Sequence, residues 1–171
     1  YVSGRHTYTA NYGSNNISVI DISNPSSPIQ IATTSVGTAP ISIYVSGRYA
    51  YTANYTSNTI SVVDISNPLS PVQITTTPVG TNPNSIYVSG RYAYVANRDS
   101  ANISVVDVSN PSSPIQIATT SVGTSPTSIY VSGHYAYVTN IGANSISVVD
   151  ISNPKAPIQI ATTSAEAHPN S

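Results

Sequence analysis

The chain has 171 residues, of which 39% are hydrophobic and only 6% are charged, and its net charge is −1. This length predicts one domain, and a charge near zero disfavours nucleic acid and acidic lipid as partners. The chain contains no cysteine, which excludes disulfides, thiolate metal sites and cysteine nucleophiles, and no apolar run approaches the roughly 20 residues needed to span a bilayer.

A 43-residue unit is repeated along the chain, at residues 1–43, 44–86, 87–129 and 130–171. Each copy begins with Tyr-Val-Ser-Gly and later contains an Asp-x-Ser-Asn-Pro segment. Periods of about 20–50 residues are typical of solenoids, propellers and arrays. The uniform repeat also disfavours an enzyme, because a catalytic site needs one place that differs from the others.

Four strands are predicted in each copy, and the second copy shows them in chain order. Strand A covers Ile41–Val45 and strand B covers Arg48–Ala53, with Ser46-Gly47 as the turn between them. Strand C covers Thr59–Ile65, and strand D covers Val72–Thr77 after a segment rich in proline. Short β-branched runs bounded by Gly, Pro and Asn predict an all-β protein.

The patterning within these strands predicts a β-propeller, because four antiparallel strands in a repeat of about 40–50 residues form one propeller blade. Strand C is apolar on both faces, as expected for a sheet that lies between two other sheets. Its apolar residues are Ile60, Val62, Val63 and Ile65. Strand D is predicted to place Val72 and Ile74 on one apolar face, as expected nearer an outer edge.

Several segments resemble known propeller repeats. Tyr-Val-Ala-Asn at 94–97, Tyr-Val-Thr-Asn at 137–140 and Asn-Ser-Ile-Ser-Val-Val-Asp at 144–150 resemble the YVTN-type repeat. Ser-Val-Val-Asp-Ile-Ser-Asn-Pro at 61–68 is similar to the related LVIVD repeat. The resemblance covers the whole chain and implies the propeller fold. It also implies a relation to surface-layer proteins, adhesins and secreted proteins, with lactonases and quinoprotein dehydrogenase heavy chains as distant relatives.

Four blades leave three arrangements open: a closed four-bladed ring, a larger ring shared with another chain, or a part of a longer array. The first copy starts at Tyr1 and lacks the front half of strand A, and the tail Ala167–Ser171 supplies most of that lead-in. Ring closure or the head-to-tail addition of another chain would both complete this strand.

Residues repeated in every copy are interpreted first as structural. The aspartates that end strand C are expected to accept backbone N–H groups in the next turn, with a ring of carboxylates as the alternative. They are Asp21, Asp64, Asp107 and Asp150. The basic residues after the A–B turn are expected to be exposed, with anion binding or a carboxylate partner as alternatives. They are Arg5, Arg48, Arg91 and His134.

Two sets of tyrosines are expected to belong to the core, because the chain has no Phe or Trp; stacking against sugars is the alternative. The sets are Tyr1, Tyr44, Tyr87, Tyr130 and Tyr8, Tyr51, Tyr94, Tyr137. The three histidines, His6, His134 and His168, occupy three different places in the repeat, so no metal site is predicted. No catalytic residue and no cofactor are predicted either.

The four copies differ mainly in the B–C and D–A loops, which lie at the same end of an up-and-down blade. Binding residues are commonly found on loops that a rigid scaffold positions, so we predict a ligand-binding face at this end. Its residues are Tyr12, Asn15, Tyr55, Asn58, Asn82, Arg98, Asp99 and His168. The alternative is that these loops vary because nothing constrains them.

The sequence as a whole favours a non-enzymatic scaffold, extracellular or at the cell surface, that binds a protein or a glycan and serves in adhesion. Copies of the chain itself are also expected among its partners. Two alternatives remain: a structural subunit of a self-assembling fibre or surface layer, and part of a lactonase-like or quinoprotein-like propeller enzyme.

Overall fold

The computed structural model describes residues 1–169, and these residues form sixteen β-strands in four sheets, with no helix among them. Sheet 1 contains β1 (Val2–Ser3), β2 (His6–Asn11), β3 (Asn16–Asp21) and β4 (Ile29–Ser35). Sheet 2 contains β5 (Pro40–Ser46), β6 (Tyr49–Asn54), β7 (Thr59–Asp64) and β8 (Val72–Pro78). Sheet 3 contains β9 (Pro83–Ser89), β10 (Tyr92–Asn97), β11 (Asn102–Asp107) and β12 (Ile115–Ser121). Sheet 4 contains β13 (Pro126–Ser132), β14 (Tyr135–Asn140), β15 (Ser145–Asp150) and β16 (Ile158–Ser164).

Each sheet is an antiparallel meander whose strands follow chain order, which confirms the predicted all-β fold and the A–B–C–D order of strands. The A–B turn is tight because Gly47 adopts a φ of 58°, a left-handed conformation that costs glycine little. Gly4, Gly90 and Gly133 adopt the same angle at the equivalent turns.

The outermost strand of each sheet carries a β-bulge. In sheet 2 the register shifts between Val62 and Val63, whose partners are Thr75 and Gln73, so Ile74 is the extra residue. Ile74 packs against the core, whereas Val72 is 56% exposed. The prediction that these two residues share one apolar face is therefore wrong, because the bulge breaks the two-residue alternation.

The core lies between consecutive sheets rather than within any one sheet. We call the side of a sheet that packs on the following sheet its leading face, and the opposite side its trailing face. Between sheets 1 and 2, for example, Tyr8 and Ile17 of the leading face contact Val45, Val63 and Ile65 of the trailing face. Equivalent residues form the clusters between sheets 2 and 3 and between sheets 3 and 4. The prediction that strand C is apolar on both faces is confirmed, since Ile60, Val62 and Val63 are fully buried.

The four sheets do not close into a ring of four. Within residues 1–169, strand packing connects each sheet to the next one, while sheets 1 and 4 do not pack together. Strand β1 is only two residues long, against seven for β5. The tail that was predicted to complete it is described as far as Pro169, and its last two residues lie outside the described range.

Candidate interaction face

The B–C and D–A loops lie together at one end of the sheets and hydrogen-bond to each other. The Tyr55 N–H donates to the carbonyl of Ala39 over 2.9 Å, and the Arg98 N–H donates to the carbonyl of Asn82 over 3.0 Å. The same bond joins Ile141 to Ser125 over 3.0 Å in the next copy. The variable loops therefore form one surface, which we call the loop face.

An asparagine at the end of strand B holds each B–C loop in place. Asn54 is fully buried, and its Nδ2 donates to Oγ1 of Thr59 over 3.0 Å and to Oγ of Ser61 over 2.9 Å. Asn11, Asn97 and Asn140 make the corresponding bonds in the other sheets. The loop face thus rests on a base that side-chain hydrogen bonds hold in place.

Two of the predicted binding residues are occupied in holding the loops together. Asn15 and Asn58 have φ angles of 54° and 57°, which asparagine tolerates better than most residues. Their Oδ1 atoms accept hydrogen bonds from the backbone N–H groups of Ala39 and Asn82, both over 2.8 Å. These carboxamide oxygens fix the chain's crossing from one sheet to the next.

Five of the other predicted residues lie in the loops of three consecutive sheets, and hydrogen bonds link four of them in pairs. Nη1 of Arg98 donates to the hydroxyl of Tyr55, in the neighbouring sheet, over 3.0 Å. Nδ2 of Asn82 donates to Oδ2 of Asp99 over 2.6 Å. Tyr12, the equivalent of Tyr55 in sheet 1, is 54% exposed. The loop stripe, as we name it, consists of Tyr12, Tyr55, Asn82, Arg98 and Asp99.

His168 lies apart from the loop stripe, in the tail that follows sheet 4. Its φ of 62° is positive, as at Asn82. Its N–H donates to Oδ1 of Asn144 over 3.1 Å, just as the Asn82 N–H donates to Oδ1 of Asn58. Its side chain is exposed. No group of three or more potential metal ligands occurs within the described residues.

The opposite end of the sheets carries the repeated aspartates and basic residues. Oδ1 of Asp64 accepts the Ser66 N–H over 2.8 Å, and Oδ2 accepts from Arg48 over 2.8 Å. The Ser66 side chain, Arg48 and the Ser66 N–H together lower the pKa of Asp64 to about 2. In sheet 3 the Ser109 side chain and N–H and then Arg91 lower the pKa of Asp107 to about 2 as well. These aspartates hold the C–D turns, and in sheets 2 and 3 the arginines Arg48 and Arg91 tie the A–B turn to them.

An open depression of about 210 Å³ also lies at this opposite end, beside the C–D turn of sheet 3. Asp107, Ser109, Asn110 and Ile115 are among the residues that line it. It is formed around a turn whose Asp-x-Ser-Asn-Pro sequence recurs in all four copies.

The two tyrosine sets have different surroundings. Tyr8, Tyr51 and Tyr94 are each 3% exposed, and burial raises their pKa values. The other set forms a ladder along the first strands of the sheets, with ring centroids 4.8, 4.6 and 5.2 Å apart from Tyr1 through Tyr44 and Tyr87 to Tyr130. Both sets are evident in the sequence, but their stacking could not be predicted from it, because stacking depends on the distance between sheets.

Four consecutive four-stranded antiparallel sheets packed face to face define a protein of the β-propeller class, with one blade for each repeat. The LVIVD repeat matches this chain four times, at residues 1–34, 39–76, 81–120 and 124–163. The chain therefore belongs to the LVIVD repeat family. None of the curated proteins compared with it matches.

Solved structures with a similar fold come from several sources. The periplasmic gluconolactonase of Pseudomonas aeruginosa matches with a TM-score of 0.86 and 19% identity, over 98% of this chain and 53% of that one. A functionally unknown protein from Desulfotomaculum acetoxidans matches with a TM-score of 0.80 and 15% identity, over 94% and 53%. The computationally designed protein Ika8 matches with a TM-score of 0.79 and 10% identity, over 99% and 50%. The chain thus spans about half the length of these structures, and at such identities the likeness shows the fold alone.

The described residues contain no helix that is long and apolar enough to cross a membrane.

Proposed function

We propose that this protein is a non-enzymatic propeller scaffold, extracellular or at the cell surface, that binds a protein or glycan partner through the loop stripe. The observation that carries the proposal is the continuity of the stripe across sheets. The bond from Arg98 to Tyr55 joins the B–C loops of two different sheets, so neighbouring copies present one common surface.

The chemistry of the stripe suits a polar, uncharged partner. A tyrosine ring offers a flat apolar surface for stacking and a hydroxyl for hydrogen bonding, and arginine offers several donors in one plane. Arg98 and Asp99 have opposite charges and neighbour each other, so the stripe has little net charge. The small net charge of the whole chain agrees with a partner recognised by shape and hydrogen bonds rather than by long-range attraction.

The rigidity of the loop face also supports a binding role. The loops are held by buried asparagine side chains below and by bonds between loops above, so little side-chain and loop entropy is lost on association. Much of the variation among the copies lies in side chains that this framework displays. The low charge and abundant Ser, Thr and Asn side chains favour a location outside the cell or at its surface.

A binding assay with matched variants tests the proposal. The labelled protein is applied to arrays of immobilised oligosaccharides and of purified extracellular proteins. The loop variant carries Y12A, Y55A, N82A and R98A. The control carries four alanines on side chains exposed at the start of strand D, namely I29A, V72A, I115A and I158A.

We expect the unmodified protein and the control variant to bind the same array members, and the loop variant to lose at least about tenfold in affinity, since tyrosine and arginine dominate most interfaces. Equal binding by the loop variant would exclude the loop face. Turnover of a lactone substrate by the purified protein, retained in the loop variant, would instead favour the enzymatic alternative.

A further inference from the structure

The tyrosine ladder places one phenol ring from each sheet against the ring of the next sheet. Its members are Tyr1, Tyr44, Tyr87 and Tyr130. The chain has thirteen tyrosines, and within residues 1–169 the three contacts between one tyrosine ring and another all belong to this ladder. The ladder is therefore the one place in the described structure where the chemistry of paired phenols is available.

The inner pair of the ladder, Tyr44 and Tyr87, has the closest rings. Their centroids are 4.6 Å apart and their planes are tilted by 48°, at the short end of the range of about 4.5–7 Å for aromatic pairs. Tyr87 and Tyr130 are 5.2 Å apart, with planes at 73°. That outer pair points an edge at a face, whereas the tilted inner pair lets two ring edges approach each other.

The hydroxyl groups of the inner pair lie at the same end of the two rings. Burial is the main cause that raises the pKa of Tyr44, and the nearby hydroxyls of Tyr87 and Tyr1 raise it further. The ortho carbons of a phenol flank the carbon that bears the hydroxyl, so neighbouring hydroxyls bring ortho carbons of the two rings together. Tyr44 and Tyr87 are half-buried, so neither ring is sealed from solvent.

The backbone fixes the spacing of this pair. Oγ of Ser42 in β5 accepts a hydrogen bond from the N–H of Ile86 in β9 over 3.3 Å, within two residues of each tyrosine. Val45 and Val88, which directly follow the two tyrosines, are 5% and 4% exposed and anchor both strands in the core. The two rings are thus held side by side by the strands that carry them.

We propose that Tyr44 and Tyr87 form a site of oxidative cross-linking, where a one-electron oxidant of the peroxidase type, supplied with hydrogen peroxide, joins the two rings as dityrosine. The oxidant removes one electron and one proton from each phenol, and the two tyrosyl radicals couple through a new bond between ortho carbons. Each of these carbons then loses its hydrogen as a proton, and each phenol oxygen regains a proton, which restores both aromatic rings. One hydrogen peroxide becomes two waters, and the chain loses two hydrogen atoms.

The cross-link joins sheet 2 to sheet 3 by a covalent bond. The chain has no cysteine, and the core between these sheets is an apolar cluster that includes Val62 and Val95. A covalent link between residues far apart in the chain restricts the unfolded state, so the cross-linked protein should melt at a higher temperature. The inference concerns the first strands of the sheets and is independent of the binding role proposed for the loop stripe.

The test treats the 171-residue chain with a haem peroxidase and hydrogen peroxide, in dilute solution so that coupling between molecules is slow. We expect dityrosine fluorescence and a single chain that is lighter by two hydrogen atoms. Trypsin cleaves after Arg5, Arg48 and Arg91, which places the two rings in different peptides, 6–48 and 49–91. These two peptides should be recovered joined to each other, in larger amount than any pair that contains Tyr130.

Two double variants identify the site. Y44F/Y87F keeps both rings but removes both phenol groups, so it should lose the single-chain cross-link and the rise in melting temperature on oxidation. The matched control is Y49F/Y92F, which removes two phenols from strand B of the same two sheets. Tyr49 and Tyr92 are also half-buried but are not members of the ladder, so this control should cross-link as the unmodified chain does.

Three results would overturn the inference. The first is the lack of any single-chain dityrosine under conditions that couple free tyrosine. The second is a single-chain cross-link whose main product joins tyrosines other than Tyr44 and Tyr87. The third is an equal yield of single-chain cross-link from Y44F/Y87F and Y49F/Y92F.

Discussion

Gly80, in the crossover from sheet 2 to sheet 3, lies directly against the buried side chain of Asn97. A Cβ built on Gly80 would stand 2.6 Å from Cγ of Asn97, which is closer than real Cβ contacts. Asn97 cannot move away without breaking its bonds to Asn102 and Ser104, at 2.8 and 2.9 Å. The crossover of one sheet and the strand B asparagine of the next are therefore fitted to each other.

The substitution G80A should destabilise the protein by about 1–3 kcal/mol, the usual cost of forcing an extra methyl group into a well-packed place. The control is G13A, because a Cβ on Gly13 meets nothing within 4 Å. We expect G13A to change the free energy of unfolding by less than about 0.5 kcal/mol. Urea denaturation followed by circular dichroism measures both; equal effects would contradict the close fit.

A buried acceptor is left unpaired in two of the four sheets. Oδ1 of Asn54 accepts from the Thr52 hydroxyl over 2.8 Å, but position 95 in the next sheet is valine. Among the described residues, Oδ1 of Asn97 and Oδ1 of Asn140 therefore have no hydrogen-bond partner.

The substitution V95T should supply the missing donor in nearly the same volume and stabilise the protein by about 1 kcal/mol. V106T is the control, because Val106 is fully buried in an apolar cluster. The hydroxyl that V106T introduces there should lower the free energy of unfolding by about 1–3 kcal/mol. Thermal unfolding of the two variants and the unmodified chain should show opposite shifts. A fall in melting temperature for V95T would contradict the assignment of the unpaired oxygen.

The loop of sheet 3 departs from the others at one strained position. Ala101 has a φ of 48°, a left-handed conformation that asparagine adopts at the equivalent positions 15, 58 and 144. Alanine also lacks the Oδ1 that accepts the crossover N–H in those copies, as Asn58 does for Asn82.

We expect A101N to stabilise the protein by about 1–2 kcal/mol, since it relieves backbone strain and adds one hydrogen bond. A101G relieves the strain without adding the acceptor, so it should give a smaller gain, and the difference isolates the hydrogen bond. Chemical denaturation separates the two variants. Equal gains would show that the side-chain oxygen contributes nothing.

Acid should destabilise the protein through the turn aspartates. The pKa values of Asp64 and Asp107 are lowered to about 2, below the value of about 3.9 for an unfolded chain. A carboxyl whose pKa is lower in the folded state stabilises it above the unfolded pKa, and this contribution is lost as pH falls through the folded pKa. The melting temperature should therefore decrease between about pH 4 and pH 2.

The double variant D64N/D107N should show a smaller decrease over this pH range, because asparagine keeps an acceptor for the turn but does not titrate. Melting curves at a series of pH values compare the two proteins. The same pH dependence in both would show that other carboxyls control stability in acid.

Much of the fold could be predicted from the sequence, because the same pattern of strand and turn residues occurs four times. Three local features predict the sheets. They are the alternation of side chains in strands A to C, the turn at Gly47 and the fixed period of the repeat. The bulge at Ile74 was not predicted, because no local signal distinguishes it from a regular alternation of apolar and polar residues. At the loop face, the sequence located the variable residues, but it did not reveal that Asn15 and Asn58 serve the chain's own crossovers.

The sequence by itself therefore determined the all-β class, the four blades and their order, because hydrophobic period and turn residues act over a few neighbouring positions. Only the tertiary structure decided which side chains meet between sheets, such as Arg98 with Tyr55 and Gly80 with Asn97, since these contacts depend on distances between residues far apart in the chain.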